Sequence, residues 1–123
     1  MRKVIIGLAA LALTCASQYN PPPKYDTPEA KAGLARCLVK REATMYGAYW
    51  CSACNHQKVL FEKDAWQAFK QNYVECSERG SSEEQRRCEQ ENITVLPTWK
   101  FKNGKEVLGY KTLDQLAELS GCK

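Results

Sequence analysis

Two cysteines three residues apart, Cys51 and Cys54 in Trp50-Cys51-Ser52-Ala53-Cys54, are the residues whose type and spacing best suit chemistry. The apolar, aromatic run Ala43 to Tyr49 reads as a buried strand leading straight into them. The stretch Gln57 to Lys70 behind them reads as a helix with Leu60, Phe61, Ala65, Ala68 and Phe69 as its apolar positions. A cysteine capping that helix would set its sulfur over unpaired backbone N–H groups and the positive end of the helix dipole, and both favour thiolate over thiol. Thiolate is the attacking species in disulfide exchange. Cys54, about one helical turn on, is near enough to attack a mixed disulfide on Cys51. The spacing predicts Cys51 as nucleophile and Cys54 as resolving thiol.

Other uses of this pair fit less well. Zinc would need Cys76 and Cys88 as second ligands, but their spacing is far wider than the tight knuckles of a zinc ribbon. Haem attachment needs His directly after the second cysteine; here Asn55 stands there and His56 comes one place late. A purely structural Cys51–Cys54 link would close a very small loop and add little stability. No metal and no cofactor is expected. His56, one turn into the helix, reads as a surface residue that could raise Cys51 reactivity when protonated.

The elements needed to hold the pair can be read on either side. Thr27 and Pro28 open a helix as N-cap and first helical residue, with Ala30, Leu34, Cys37 and Leu38 on one face. Tyr73-Val74 is a second short strand. Ser82 with Gln85 forms a capping-box pattern for a short surface helix. Pro97 follows Ile93-Thr94-Val95-Leu96 and precedes the alternating Thr98-Trp99-Lys100-Phe101; a lone proline there is a candidate cis peptide. Asn103-Gly104 predicts a tight hairpin with positive φ at both residues, returning over Glu106 to Tyr110. Thr112 and Gln115 form another capping box, for a helix with Leu113, Leu116, Ala117 and Leu119 inward and Gly121 as its stop. The order helix, strand, helix, strand, helix, hairpin, helix implies an α/β fold around a mixed sheet, parallel first and antiparallel at the end.

The first residues read as an export signal over residues 1–17. Arg2 and Lys3 precede the apolar run Val4 to Leu13, which is too short to span a bilayer. Cys15 lies where a lipoprotein signal would end, although Leu11-Ala12-Leu13-Thr14 is a poor lipobox. Acylated Cys15 would be the chain's one link to a membrane. Residues 18–27, with Pro21-Pro22-Pro23, read as a linker, and residues 28–123 as one domain. Seven cysteines in 123 residues suit an oxidising, extracytoplasmic compartment such as the periplasm. Lys and Arg number 18 against 14 Asp and Glu, interleaved and with two of the cations in the leader, so nucleic-acid binding is not indicated.

Taken together, the CxxC between strand and helix, Pro97 before a strand, and the closing hairpin plus helix resemble the thioredoxin superfamily over about residues 28 to 123. Met45 to Cys54, Tyr73-Val74-Glu75-Cys76, Cys88 and Leu96-Pro97-Thr98-Trp99 are most similar to the thioredoxin-like domain of bacterial vitamin K epoxide reductase homologues. That resemblance implies disulfide exchange with client proteins and reoxidation by a membrane-embedded, quinone-linked reductase, here necessarily a separate chain. It implies that Pro97 is a cis-proline facing the redox pair, that Leu96 offers backbone hydrogen bonds to a bound substrate strand, and that Trp50 covers the pair. It also implies a structural disulfide between Cys76 and Cys88. The residues alone allow three pairings of Cys37, Cys76, Cys88 and Cys122. In a thioredoxin topology Cys37 and Cys122 fall together at the end remote from the CxxC. Ser52-Ala53 replaces the Pro-His often found between the cysteines, and Met45 stands where thioredoxins carry a buried Asp. Glu75 is then the nearest acidic residue, expected as a solvated strand-end carboxylate. Tyr46, Tyr49, Trp50 and Trp99 are expected to divide between core and rim. The contrasting functional class is a cysteine-stapled adaptor with this fold and no redox turnover.

Overall fold

The computed structural model describes Gly7 and residues 24–123. The rest of the leader, Cys15 included, and Pro21 to Pro23 lie outside the described residues. Helix α1, Pro28–Lys40, starts as the sequence predicts: the Thr27 side chain accepts the Ala30 N–H at 3.1 Å, and Pro28 needs no donor in the first turn. Strand β1, Thr44–Gly47, is buried along its whole length and ends four residues before Cys51. It pairs parallel with β2, Tyr73–Glu75, and antiparallel with β3, Thr98–Lys100, which pairs antiparallel with β4, Glu106–Leu108. The sheet order is β2-β1-β3-β4, so the strand feeding the CxxC is central.

Register decides the two faces. Met45 lies opposite Tyr73 on one side and Trp99 on the other, and the fully buried Met45 and Trp99 point into the main core. That core gathers Leu34, Leu38, Phe61, Phe69 and Leu116 from three helices: α1, α2 (Ser52–Phe69) and α4 (Leu113–Ser120). Successive strand residues face opposite ways. Tyr46 and Val74 therefore join Cys88 of α3, Ser82–Gln90, in a second, smaller cluster. α4 begins with the predicted Thr112–Gln115 box and ends on Gly121 in the left-handed region at φ 77°.

Several local expectations are corrected. The helix after the pair begins at Ser52, not Gln57, and Glu62, at φ 63° and ψ 174°, breaks it into two segments. No Gly or Pro marks the break. Glu62 carries an ion pair with Lys31 at 2.8 Å, and the break lies between buried Phe61 and Ala65. The box at α3 is Ser81 with Glu84, not Ser82 with Gln85. The run Ser-Ser-Glu-Glu-Gln allows both registers. A tertiary bond chooses between them, because the second Glu84 oxygen accepts the Glu75 N–H at 2.8 Å. In the hairpin only Gly104 has positive φ. Gly104 N–H donates to Phe101 and Phe101 N–H to Lys105, so the loop is one residue longer than an Asn-Gly two-residue turn and closes on a glycine bulge. Tyr25, read as linker, is buried, and its hydroxyl donates to the Cys122 carbonyl at 3.4 Å.

Candidate functional site

Cys51 is the N-cap of α2, with extended backbone at φ −82° and ψ 114°. Its sulfur accepts the Cys54 N–H at 3.2 Å, the bond that a capping oxygen usually makes. The position follows from the short run between β1 and α2. Cys51 N–H donates to the Ala48 carbonyl, and the Asn55 side chain donates to the Tyr49 carbonyl at 2.8 Å. The two thiols are free. Cys51 keeps 8% of its surface in solvent while Cys54 has none, so a large disulfide can reach only the first.

The loop before β3 faces Cys51. Its thiol donates to the Leu96 carbonyl at 3.6 Å, and the Leu96–Pro97 peptide bond is cis. Pro97 is fully buried, and its carbonyl accepts Gly109 N–H at 2.7 Å, tying the loop to the end of β4. Trp50, directly before Cys51, is 62% exposed, so most of its surface stays in water. Val95 beside the loop is also exposed. Tyr46 and Trp99 belong to the interior. His56 is on the surface and packs its ring against Tyr110, centroids 4.8 Å apart.

Glu75 departs from expectation. It is not a free strand-end carboxylate: one oxygen accepts the Tyr49 N–H at 2.8 Å and the other the Tyr73 hydroxyl at 3.1 Å. The parallel pairing of β1 and β2 carries Glu75 beside Gly47, where the backbone turning toward Cys51 needs an acceptor. The loop behind it is pinned too. The Tyr49 hydroxyl donates to Glu78 at 2.7 Å, which holds the Glu78 carboxyl below its usual range. Arg79 lies 3.5 Å over the Tyr49 ring. Burial pushes Glu84 up, but the N–H groups of Glu75 and Ser81 outweigh it and hold the carboxyl below its ordinary value.

Cys76 and Cys88 are bonded to each other, as are Cys37 and Cys122. The first bond ties the end of β2 to α3 near the free thiols. The second joins the last turn of α1 to the residue after Gly121. Among the described residues no group of three or more His, Cys, Asp and Glu side chains is placed to hold a metal.

Three residues that sequence reasoning passed over stand beside Cys54. Tyr73 projects from β2, Lys58 from the next turn of α2 lies 4.1 Å over the Tyr73 ring, and Gly47 leaves the space between. A glycine in the strand leading to the CxxC was the available signal, since such glycines mark close approach.

A central strand running into a CxxC at a helix start, with a mixed sheet and a proline loop opposite, makes this chain α/β with a thioredoxin-like fold. No protein-family profile matches it. It is similar to the thiol-disulfide oxidoreductase LTO1 of Arabidopsis thaliana, with 40% identity over 91 residues covering 72% of this chain. The matched part is 23% of that relative, so the chain spans under a quarter of its length.

Proposed function

We propose that this chain is an exported thiol–disulfide oxidoreductase that exchanges disulfides with client proteins through Cys51 and Cys54. The asymmetry of the pair carries the reading: Cys51 is reachable and caps the helix with its sulfur, whereas Cys54 is fully enclosed behind it. The Cys51 thiolate attacks a client disulfide, a mixed disulfide forms, and one client thiolate leaves. The Cys54 thiolate then attacks the Cys51 sulfur, and the second client thiolate leaves. The client gains two electrons, and the Cys51–Cys54 disulfide holds the loss. Run backward, the same steps oxidise a client. The likeness to a relative named thiol-disulfide oxidoreductase supports this reading. Trp50, Leu96 and Pro97 are the proposed contacts for the client segment.

A membrane-embedded reductase like the vitamin K epoxide reductases is the proposed reoxidant, and the leader is proposed to direct the chain to the periplasm or another extracytoplasmic space. Intact-mass measurement of the mature protein tests the leader reading. A mass corresponding to cleavage after residue 16 or 17 means loss of Cys15, and an acylated Cys15 means an anchored protein. Trapping tests the activity. Cys54→Ser should accumulate mixed disulfides that reductant dissolves and that vanish when Cys51 is also replaced. A clean gel favours the redox-inactive adaptor. The reduction potential assigns direction: about −120 to −180 mV marks a donor of disulfides and about −270 mV a reductant.

A further inference from the structure

The second step of this exchange demands something the CxxC alone does not supply. Cys54 must lose its proton before it can attack, yet it is fully buried. Burial pushes its thiol up to about 12, with the neighbouring Cys51 adding to the effect. At neutral pH it is a thiol and a poor nucleophile. Strand β1 offers it no acceptor, since Met45 and Gly47 face this side. Strand β2 does. The point that a Cβ on Gly47 would occupy lies 3.2 Å from Cys54 Sγ and 3.1 Å from Tyr73 Oη, so the absent side chain leaves these two atoms sharing one small space. Tyr73 Oη in turn donates to Glu75 Oε2 at 3.1 Å. Glu75 is held in place from two sides, by the Tyr49 N–H on its other oxygen and by Glu84 on its own N–H.

We infer that Tyr73 and Glu75 form the route by which Cys54 gives up its proton, with Tyr73 as relay and Glu75 as acceptor. The inference rests on the reading of Cys51 and Cys54 as an exchanging pair. As Cys54 Sγ attacks Cys51 Sγ of a mixed disulfide, the thiol proton crosses the space left at Gly47 to Tyr73 Oη and the phenol proton passes to Glu75 Oε2. The new Cys51–Cys54 bond forms, and the client sulfur leaves with the electron pair of the broken bond and takes a proton from water. Tyr73 is neutral before and after. Burial and the adjacent Glu75 hold its phenol far above the usual range, which suits a relay and not a base. In the oxidising direction Glu75 returns the proton to Cys54 as a client thiolate attacks Cys51. The Lys58 ammonium, over the Tyr73 ring, favours the Cys54 thiolate while it exists. The charged and titratable groups around Cys54 are thus Cys51 and Lys58 from α2, Tyr73 and Glu75 from β2, and Glu84 of α3 beyond Glu75. The Leu96–Pro97 segment adds none.

The test follows the two steps separately in the full mature protein. Reduced protein is mixed with an aromatic disulfide that releases one coloured thiolate on attack by Cys51 and a second on resolution by Cys54. Wild type should give both releases, and Cys54→Ser only the first. Tyr73→Phe and Glu75→Gln should leave the first release within about twofold and slow the second by about 10- to 100-fold at neutral pH. In both variants the slowed step should recover about tenfold per pH unit as hydroxide replaces the relay, while the wild-type profile is flatter. A second release at wild-type rate in both variants overturns the relay, as does slowing that pH does not relieve. Lys58→Met, which keeps the aliphatic stem over Tyr73, should slow the second release by a smaller factor and carries the test should a β2 variant fail to fold. No first release in wild type or in Cys54→Ser overturns the exchange reading itself, a result distinct from loss of the relay.

Discussion

The two ends of strand β1 treat cysteine in opposite ways. Beyond its last residue, Gly47, Cys51 and Cys54 sit three positions apart at a helix start with both thiols free. Before its first residue, Cys37 in the last turn of α1 is bonded to Cys122, 85 positions away. The near pair closes too small a loop to restrain the unfolded chain, and it borrows backbone donors from the helix end and a carbonyl from the proline loop. The far pair restrains most of the domain, and its two sulfurs are bonded to each other. Cys76–Cys88, spanning 12 positions, lies between these extremes: it is a bond, but it anchors the element that positions Glu75 and Glu84. Separation along the chain and the polar groups around the sulfur divide free from bonded cysteine here.

Replacing one member of the near pair should break that contrast most sharply. Cys51→Ser should reduce disulfide exchange by about 10³-fold or more, since among the described residues no other free thiol with access to solvent stands at a helix start, with little change in melting temperature. Insulin reduction or refolding of a reduced client measures the first, and calorimetry the second. The far pair should behave in the opposite way. Cys37→Ala with Cys122→Ala should cost up to about 4 kcal/mol of stability in the chain-entropy view and spare the exchange rate. Lost activity at unchanged stability would place that bond on the electron path instead.

The intermediate pair should show both effects. Cys76→Ala with Cys88→Ala should cost about 3 kcal/mol and also slow exchange, because Glu84 would no longer fix the Glu75 backbone. Exchange at the wild-type rate would show that the hydrogen bonds around Tyr49 suffice without the bond.

A gentler difference appears with pH. The folded, reduced chain keeps the Cys54 proton up to about 12, while an unfolded cysteine ionises near about 8.5. The unfolded state loses its proton first as pH rises. The stability from this group is therefore complete below about pH 8.5 and is lost on the way to about 12. Denaturant melts of reduced protein should show the fall, and Cys54→Ser should lack it. The smallest effect concerns α2. Glu62 adopts a backbone conformation that glycine tolerates far better, so Glu62→Gly should stabilise by about 1 kcal/mol, less whatever the exposed Lys31 pair contributes. A drop in melting temperature would mean that the ion pair outweighs the strain.

Much of this molecule could be read from local chemistry. The CxxC behind an apolar strand, Thr27-Pro28, the Thr112–Gln115 box and Gly121 each carry their meaning within a few residues, because caps and turns are satisfied by near neighbours. Pro97 announced itself as a lone proline ahead of a strand. Where two local solutions were nearly equal, the sequence could not choose. Ser81 and Ser82 both offer a capping box, and a bond from β2 to Glu84 selects the first. The break at Glu62 has no local marker, since it arises where α2 packs through Phe61 and Ala65. The surroundings of Cys54 were the least legible. Tyr73 and Glu75 are more than eighteen residues downstream of it, and only the parallel register of β1 and β2 sets the phenol and the buried sulfur on the same gap at Gly47. What the sequence determined by itself was the CxxC at a helix start and the elements around it, because those depend on spacing. What only the tertiary structure decided was which groups surround each sulfur, because that depends on how strands align.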